Sequence, residues 1–127
     1  MTSKWPDLVN FNTAGLVSVI VQQHDSGEVL MLAWMNIDAV RETLATGRLC
    51  YFSRSRKTLW RKGEQSGQVQ RLIELRVDCD GDALLALVDQ TGVACHTGRR
   101  SCFFTSMAKD GSVKVRQALI DPEKLYG

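Results

Sequence analysis

Only one stretch of this sequence repeats its apolar residues at helical spacing. Ile37, Val40 and Leu44 fall on one face between Asn36, a side chain that caps helix starts, and Gly47, which ends them. The other apolar runs have the length of strands. Leu16 to Gln22 and Glu28 to Met35 flank the turn residues His24 to Gly27 and read as a hairpin. Leu49 to Arg54, Gln68 to Val77, Ala83 to Asp89 and a stretch around Phe103 read as further strands, parted by turns at Lys62–Gly63, Ser66–Gly67 and Thr91–Gly92. Asp121 and Pro122 open a short terminal helix. With so few helices the chain cannot cover both faces of a parallel sheet, so the pattern predicts an α+β fold built on a predominantly antiparallel β-sheet.

The 127 residues are 44% hydrophobic and 24% charged, the composition of an ordinary folded domain, and the length suffices to bury about two-thirds of the unfolded surface. The two prolines, Pro6 and Pro122, lie near the ends, and no repeat or Pro/Gly/Ser linker intervenes, so residues 1–127 read as a single domain. A formal charge of +2 is too small for the basic footprint of a nucleic-acid- or membrane-binding protein. No run approaches the ~18 apolar residues of a membrane span, and MTSKWPDLVNFN lacks the apolar core of a secretory signal, which makes the cytoplasm the expected location. In that reducing compartment Cys50, Cys79, Cys95 and Cys102 are expected to be metal ligands or catalytic groups rather than disulfides.

The segment Arg71 to Asp82, RLIELRVDCDGD, alternates so that Ile73, Leu75, Val77 and Cys79 share one strand face and Glu74, Arg76, Asp78 and Asp80 the other. Asp78, Asp80 and Asp82 repel one another, and their convergence calls for a compensating cation; oxygen ligands suit magnesium or calcium. An EF-hand is excluded, because Gly81 falls too early for that loop's glycine and no Glu stands at its twelfth position. A solvated acidic turn would use the same residues. The neighbouring cysteines are what argue for metal.

Cys79, Cys95 and Cys102 form a C-x15-C-x6-C pattern unlike the common four-ligand structural fingers. Three protein ligands leave zinc an open position, where a water's pKa falls to about 7 and a hydroxide nucleophile is available at neutral pH. Any one of these cysteines alone would read as a buried core residue, as Cys50 does in the apolar run LCYF. His96, next to Cys95 in ACHTGRRSCF, is a candidate fourth ligand or general base, whereas His24 belongs to a turn. Ser53, Arg54, Ser55, Arg56 and Lys57, with Arg61 and Lys62, form one basic cluster, and Arg99 and Arg100 another. Arginine forks and hydroxyls suit phosphate, and Tyr51, Phe52 and Trp60 could stack on a base.

Taken together, MLAWMN (31–36), YFSRSR (51–56), LWRKGEQSGQVQ (59–70), DCDGDALL (78–85) and ACHTGRRSCF (94–103) resemble the phosphoribosyl-AMP cyclohydrolase family of histidine biosynthesis, in collinear blocks over roughly residues 8 to 104. The resemblance implies hydrolytic opening of the adenine ring of 1-(5-phosphoribosyl)-AMP between N1 and C6, with zinc and magnesium as the metals. It implies Cys79, Cys95 and Cys102 as zinc ligands and Asp78, Asp80 and Asp82 as magnesium ligands. It also implies an intertwined homodimer in which the zinc ligands come from both subunits, Cys79 pairing with Cys95 and Cys102 of the partner chain. His96 is then the expected proton-transfer residue, and Ser53, Arg54, Ser55, Arg56, Trp60, Lys62 and Arg99 the expected substrate contacts. Gln68 departs from the family pattern, which carries His or Asn there in many members, so no imidazole serves at that position. The chain stops soon after the cysteine block, so a monofunctional form is expected, without the pyrophosphatase domain fused to this enzyme in some organisms.

Two other readings fit parts of the same pattern. A zinc-stabilised nucleic-acid-binding module would set Arg54, Arg56, Lys57, Arg61 and Arg99 on phosphates and Tyr51 or Trp60 under bases, but the low net charge and the DxDxD run oppose a polyanion footprint. A nucleobase deaminase needs H-x-E ahead of P-C-x-x-C, and this chain has no C-x-x-C.

Overall fold

The computed structural model describes residues 4–126. After a short 3-10 turn at Trp5–Leu8, the chain runs through β1 (Val17–Gln23), β2 (Val29–Met35), α1 (Ile37–Thr46), β3 (Cys50–Ser53), β4 (Thr58–Arg61), β5 (Gln70–Val77) and β6 (Ala83–Gln90). It ends in β7 (Thr105–Met107), β8 (Val113–Val115) and α2 (Pro122–Tyr126). One four-stranded sheet has the order β2-β1-β6-β5, and β3-β4 and β7-β8 are separate ribbons. The α+β expectation holds, and every pairing is antiparallel except the central one, β1 with β6, which runs parallel. Among the described residues no helix is long and apolar enough to cross a membrane.

Alternation in β1 and β6 turns Val17, Val19, Val21, Leu84, Ala86 and Val88 to one face, where they are buried against Leu30, Met35, Leu49, Tyr51 and the inner side of α1. The helix begins and ends where its caps predict. The Asn36 side chain accepts a hydrogen bond from the Ala39 N–H at 2.8 Å, and Gly47 closes the helix through its N–H to the Thr43 carbonyl. Its buried face is Ala39, Val40 and Thr43, while Leu44 is 41% exposed, so the face expected from sequence is rotated. The reason is polar. Thr43 Oγ1 accepts from the Cys50 N–H at 2.9 Å and donates to the Cys50 carbonyl at 3.3 Å, which lets a hydroxyl enter the core at the start of β3. Asn36→Ala is expected to lower stability by about 1 kcal/mol, read as a shift in the urea midpoint without a change in slope.

The alternation expected in β5 breaks at Ile73. Leu72 opposes Val88 and Glu74 opposes Leu87, so Ile73 is the extra residue of a β-bulge. The bulge reverses the faces beyond it: Leu72 and Leu75 both pack on the core, Val77 follows Leu75 on that face opposite buried Leu84, and the bulged Ile73 is 45% exposed. The strand expected around Phe103 begins two residues later, at Thr105, and Phe103 itself is 59% exposed. Two strands escaped the sequence pattern: β4, whose Trp60 pairs with Tyr51, and β8, whose residues are all exposed.

Beneath the sheet runs a chain of buried amides. The Tyr51 hydroxyl donates to Gln70 Oε1, and Gln70 Nε2 donates to Gln90 Oε1 at 2.7 Å. Gln90 Nε2 then donates to the carbonyls of Thr91 and Gln68, at 2.8 and 3.1 Å. No buried side-chain polar atom among the described residues lacks a partner. This network fixes the exit of β6, where the cysteine loop begins.

Candidate metal and substrate site

Val93, Ala94 and Cys95 are buried as the chain leaves β6. The loop then folds back on itself: the Cys95 N–H donates to the Arg99 carbonyl, the Ala94 N–H to the Arg100 carbonyl, and the Gly98 N–H to the Cys95 carbonyl, at 3.1, 2.9 and 3.0 Å. The Cys102 N–H is pinned to the Leu30 carbonyl on β2 at 2.7 Å. This path sets the Cys95 and Cys102 side chains near enough for each to feel the other's charge. Thr97 Oγ1 adds a hydrogen bond to Cys95 Sγ at 3.0 Å. Burial, then the charge of Cys95 and the hydrogen bond between the two groups, push the Cys102 thiol up to about 12, with Lys62 opposing. A bound cation would hold thiols in such a place as thiolates.

Lys62, expected at the substrate, is buried beneath this loop. Its ammonium donates to the Ala94 carbonyl and lies 5.5 Å from the centre of the Trp60 ring. Burial lowers its pKa, and Cys102 and Cys95 oppose that shift. Gln68 also serves the loop, its Oε1 accepting the Val93 N–H at 3.0 Å. At this position an amide acceptor holds backbone, a task that needs no proton transfer.

The acidic turn joins β5 to β6. The ligand atoms of Asp78, Cys79 and Asp80, all exposed, lie within 4.8 Å of one another. The alternation had put Cys79 opposite the two aspartates, but the chain turns here and gathers all three. Asp78 Oδ1 accepts the Asp82 N–H at 3.0 Å, and the hydrogen bond and repulsion from Asp78 raise the Asp82 carboxyl. Gly81 anchors the turn: its carbonyl accepts the Asn10 N–H at 2.7 Å, and a Cβ there would lie 2.5 Å from the Leu8 carbonyl. Among the described residues this is the only group of three His, Cys, Asp or Glu side chains so close together. The chain therefore holds the expected zinc ligands as two separate sets, Cys95 with Cys102 and Cys79 with Asp78 and Asp80.

An open cleft of about 510 Å³ contains Ser53, Ser55, Arg56, Trp60 and His96, five of the residues expected at the site. Phe52 and Trp34 complete its aromatic wall. The Arg54 guanidinium carbon lies 4.8 Å from the centre of the Trp34 ring. The turn after β3 holds its hydroxyls together, Ser53 Oγ accepting the Arg56 N–H at 3.3 Å and lying 3.4 Å from Ser55 Oγ. Arg61, by contrast, is engaged by Glu42 through two bonds of 2.8 Å. Arg99 does not line the cleft; its Nε donates to the Arg116 carbonyl at 2.8 Å and its guanidinium carbon lies 4.0 Å from the centre of the Phe104 ring. Trp34 is the residue that sequence reading missed. The signal was its place in MLAWMN one position from buried Met35, since neighbours on a strand face opposite ways.

Residues 31–104 match the family model described as phosphoribosyl-AMP cyclohydrolase. Proteins named phosphoribosyl-AMP cyclohydrolase from Granulibacter bethesdensis, Alcanivorax borkumensis and Rhodospirillum rubrum are 73%, 68% and 65% identical to this chain. The alignments cover 95%, 95% and 94% of it and 95%, 85% and 84% of the relatives.

Proposed function

The chain belongs to the phosphoribosyl-AMP cyclohydrolase family, and from that premise we propose that it hydrolyses the N1–C6 bond of the adenine ring in 1-(5-phosphoribosyl)-AMP, giving the formimino-carboxamide ribotide of histidine biosynthesis. The observation that carries the reading is the cleft: aromatic faces, two serine hydroxyls and Arg56 line it together with His96, which follows a loop cysteine directly.

The donor sets fit the two metals. Cys95 and Cys102 offer the sulfur ligands that zinc prefers, and Asp78 and Asp80, with Asp82 at the end of the same turn, the oxygens that suit magnesium. Zinc in such a site supplies Lewis acidity and lowers the pKa of a water to about 7. The protein's own residues do the rest. Trp34, Phe52 and Trp60 take the adenine face, while Ser53, Ser55, Arg54 and Arg56 meet phosphate oxygens. His96 accepts the proton of the water attacking C6 and returns one to N1 as that bond breaks. Lys62, under the loop, offsets negative charge at the two cysteines.

The site is completed by a second copy. Cys79 lies with the aspartates and not with Cys95 and Cys102, so a three-cysteine set requires Cys79 from the partner chain. Ile20, Val29 and Leu32 stand exposed on the outer face of β1 and β2, apolar surface that an intertwined homodimer would cover. We place the enzyme in the cytoplasm, where Cys79, Cys95 and Cys102 stay reduced and free to act as ligands.

Metal-stripped protein is expected to turn over phosphoribosyl-AMP, followed by ultraviolet absorbance, only after zinc is restored, with magnesium raising the rate further. Folded protein inactive under every metal condition would sink the reading, and salt-sensitive oligonucleotide binding in its place would favour the binding module. Asp80→Asn is expected to shift the magnesium response to higher concentration while zinc content stays constant. An unaltered magnesium titration would count against the acidic turn as the magnesium site.

A further inference from the structure

The match to the family model ends at residue 104, and the cysteine loop is tied on its outer side to chain that follows that point. The Gly98 carbonyl accepts the N–H groups of both Leu119 and Ile120, at 2.8 and 3.1 Å. Gly98 has φ +83°, and a Cβ there would lie 1.8 Å from the Ile120 carbonyl oxygen, so the two segments touch at backbone level. One residue away, Arg99 spans the same junction. Its Nε holds the Arg116 carbonyl while its plane lies over Phe104, and the Arg116 N–H returns to the Phe104 carbonyl at 2.9 Å. A loop carrying two ligands wanders unless something outside it fixes its shape, and residues 116–120 are what meets it there.

We propose that Arg99 is a positioning residue which, with the strap of residues 116–120, holds the 95–102 loop in the shape that keeps Cys95 and Cys102 together for the metal. The proposal rests on the zinc reading above and deepens it. It also gives Arg99 a task other than gripping phosphate, because its Nε and one ring-stacking face are already engaged.

The test uses the full chain with Arg99→Ala, which removes the clamp, and separately Leu119→Pro, which removes one donor to Gly98 from an exposed position outside the cleft. Both are expected to weaken zinc affinity about 10- to 100-fold, measured by competition with a chelating dye. In metal-free protein both should also speed amide exchange at Ala94, Cys95 and Gly98, the groups that close the loop. Zinc affinity and loop exchange unchanged in both variants would overturn the proposal. A raised KM for Arg99→Ala with both readouts unchanged would likewise overturn it and return Arg99 to the substrate. If the parent itself fails to bind zinc, the zinc reading fails instead, and the exchange data alone then decide whether the strap orders the loop.

Discussion

Cys95→Ser is expected to lose zinc and activity together. The thiol is buried beside Cys102 and its loss leaves one sulfur where two converged, with a hydroxyl that does not ionise at neutral pH. Lewis-acid assistance is worth several kcal/mol in the transition state, so turnover should fall on the order of a thousandfold. The fold should survive. Cys95 contributes one small side chain to a loop that remains closed through the backbone bonds of Ala94, Cys95 and Gly98, so the far-ultraviolet dichroism should be unchanged. Full activity in Cys95→Ser protein shown to be free of zinc would refute the metal assignment.

The largest stability effect is expected at Gln70, a fully buried polar residue. Gln70→Ala strands the Tyr51 hydroxyl and the Gln90 carbonyl oxygen at once, and also leaves a void between β3 and the sheet. Each orphaned buried group costs about 1 to 3 kcal/mol, so the loss should be on the order of 4 kcal/mol, read as the free energy of urea unfolding. Tyr51→Phe in the Gln70→Ala background should destabilise far less than the same change in the parent, because the hydroxyl it deletes is already unpaired. Additive losses in that cycle would show that the two side chains do not act as one network. Gln90 also carries the network to the Thr91 carbonyl, so zinc affinity should fall in Gln70→Ala as well as stability.

Much of the candidate site was legible because its signals are local. Ser53, Ser55, Arg56 and Trp60 flank one short ribbon, and a ribbon with its turn gathers its own residues whatever the rest of the fold does. Asp78 and Asp80 are two residues apart and needed only a turn to meet beside Cys79, whereas Asp82 stands outside that group. Lys62 and Arg99 were harder to place. Both are cationic and close in sequence to residues that line the cleft, but long side chains reach whatever acceptor the tertiary fold brings near. For Lys62 that is the Ala94 carbonyl and for Arg99 the Arg116 carbonyl, 32 and 17 residues away in sequence.

What the sequence determined by itself is the set of features that a few neighbouring residues decide: the caps of α1, the hairpin of β1 and β2, the acidic turn, and the family to which the cysteine and aspartate blocks belong. What only the tertiary structure decided depends on partners distant along the chain. The bulge at Ile73 exists because β5 must stay in register with β6 at both of its ends, and the parallel pairing of β1 with β6 places side by side two strands that more than fifty residues separate. The same holds for the split of the cysteines. Spacing along a chain gives the number of residues between ligands but not the path they take, and here the path carries Cys95 back to Cys102 and leaves Cys79 on another turn.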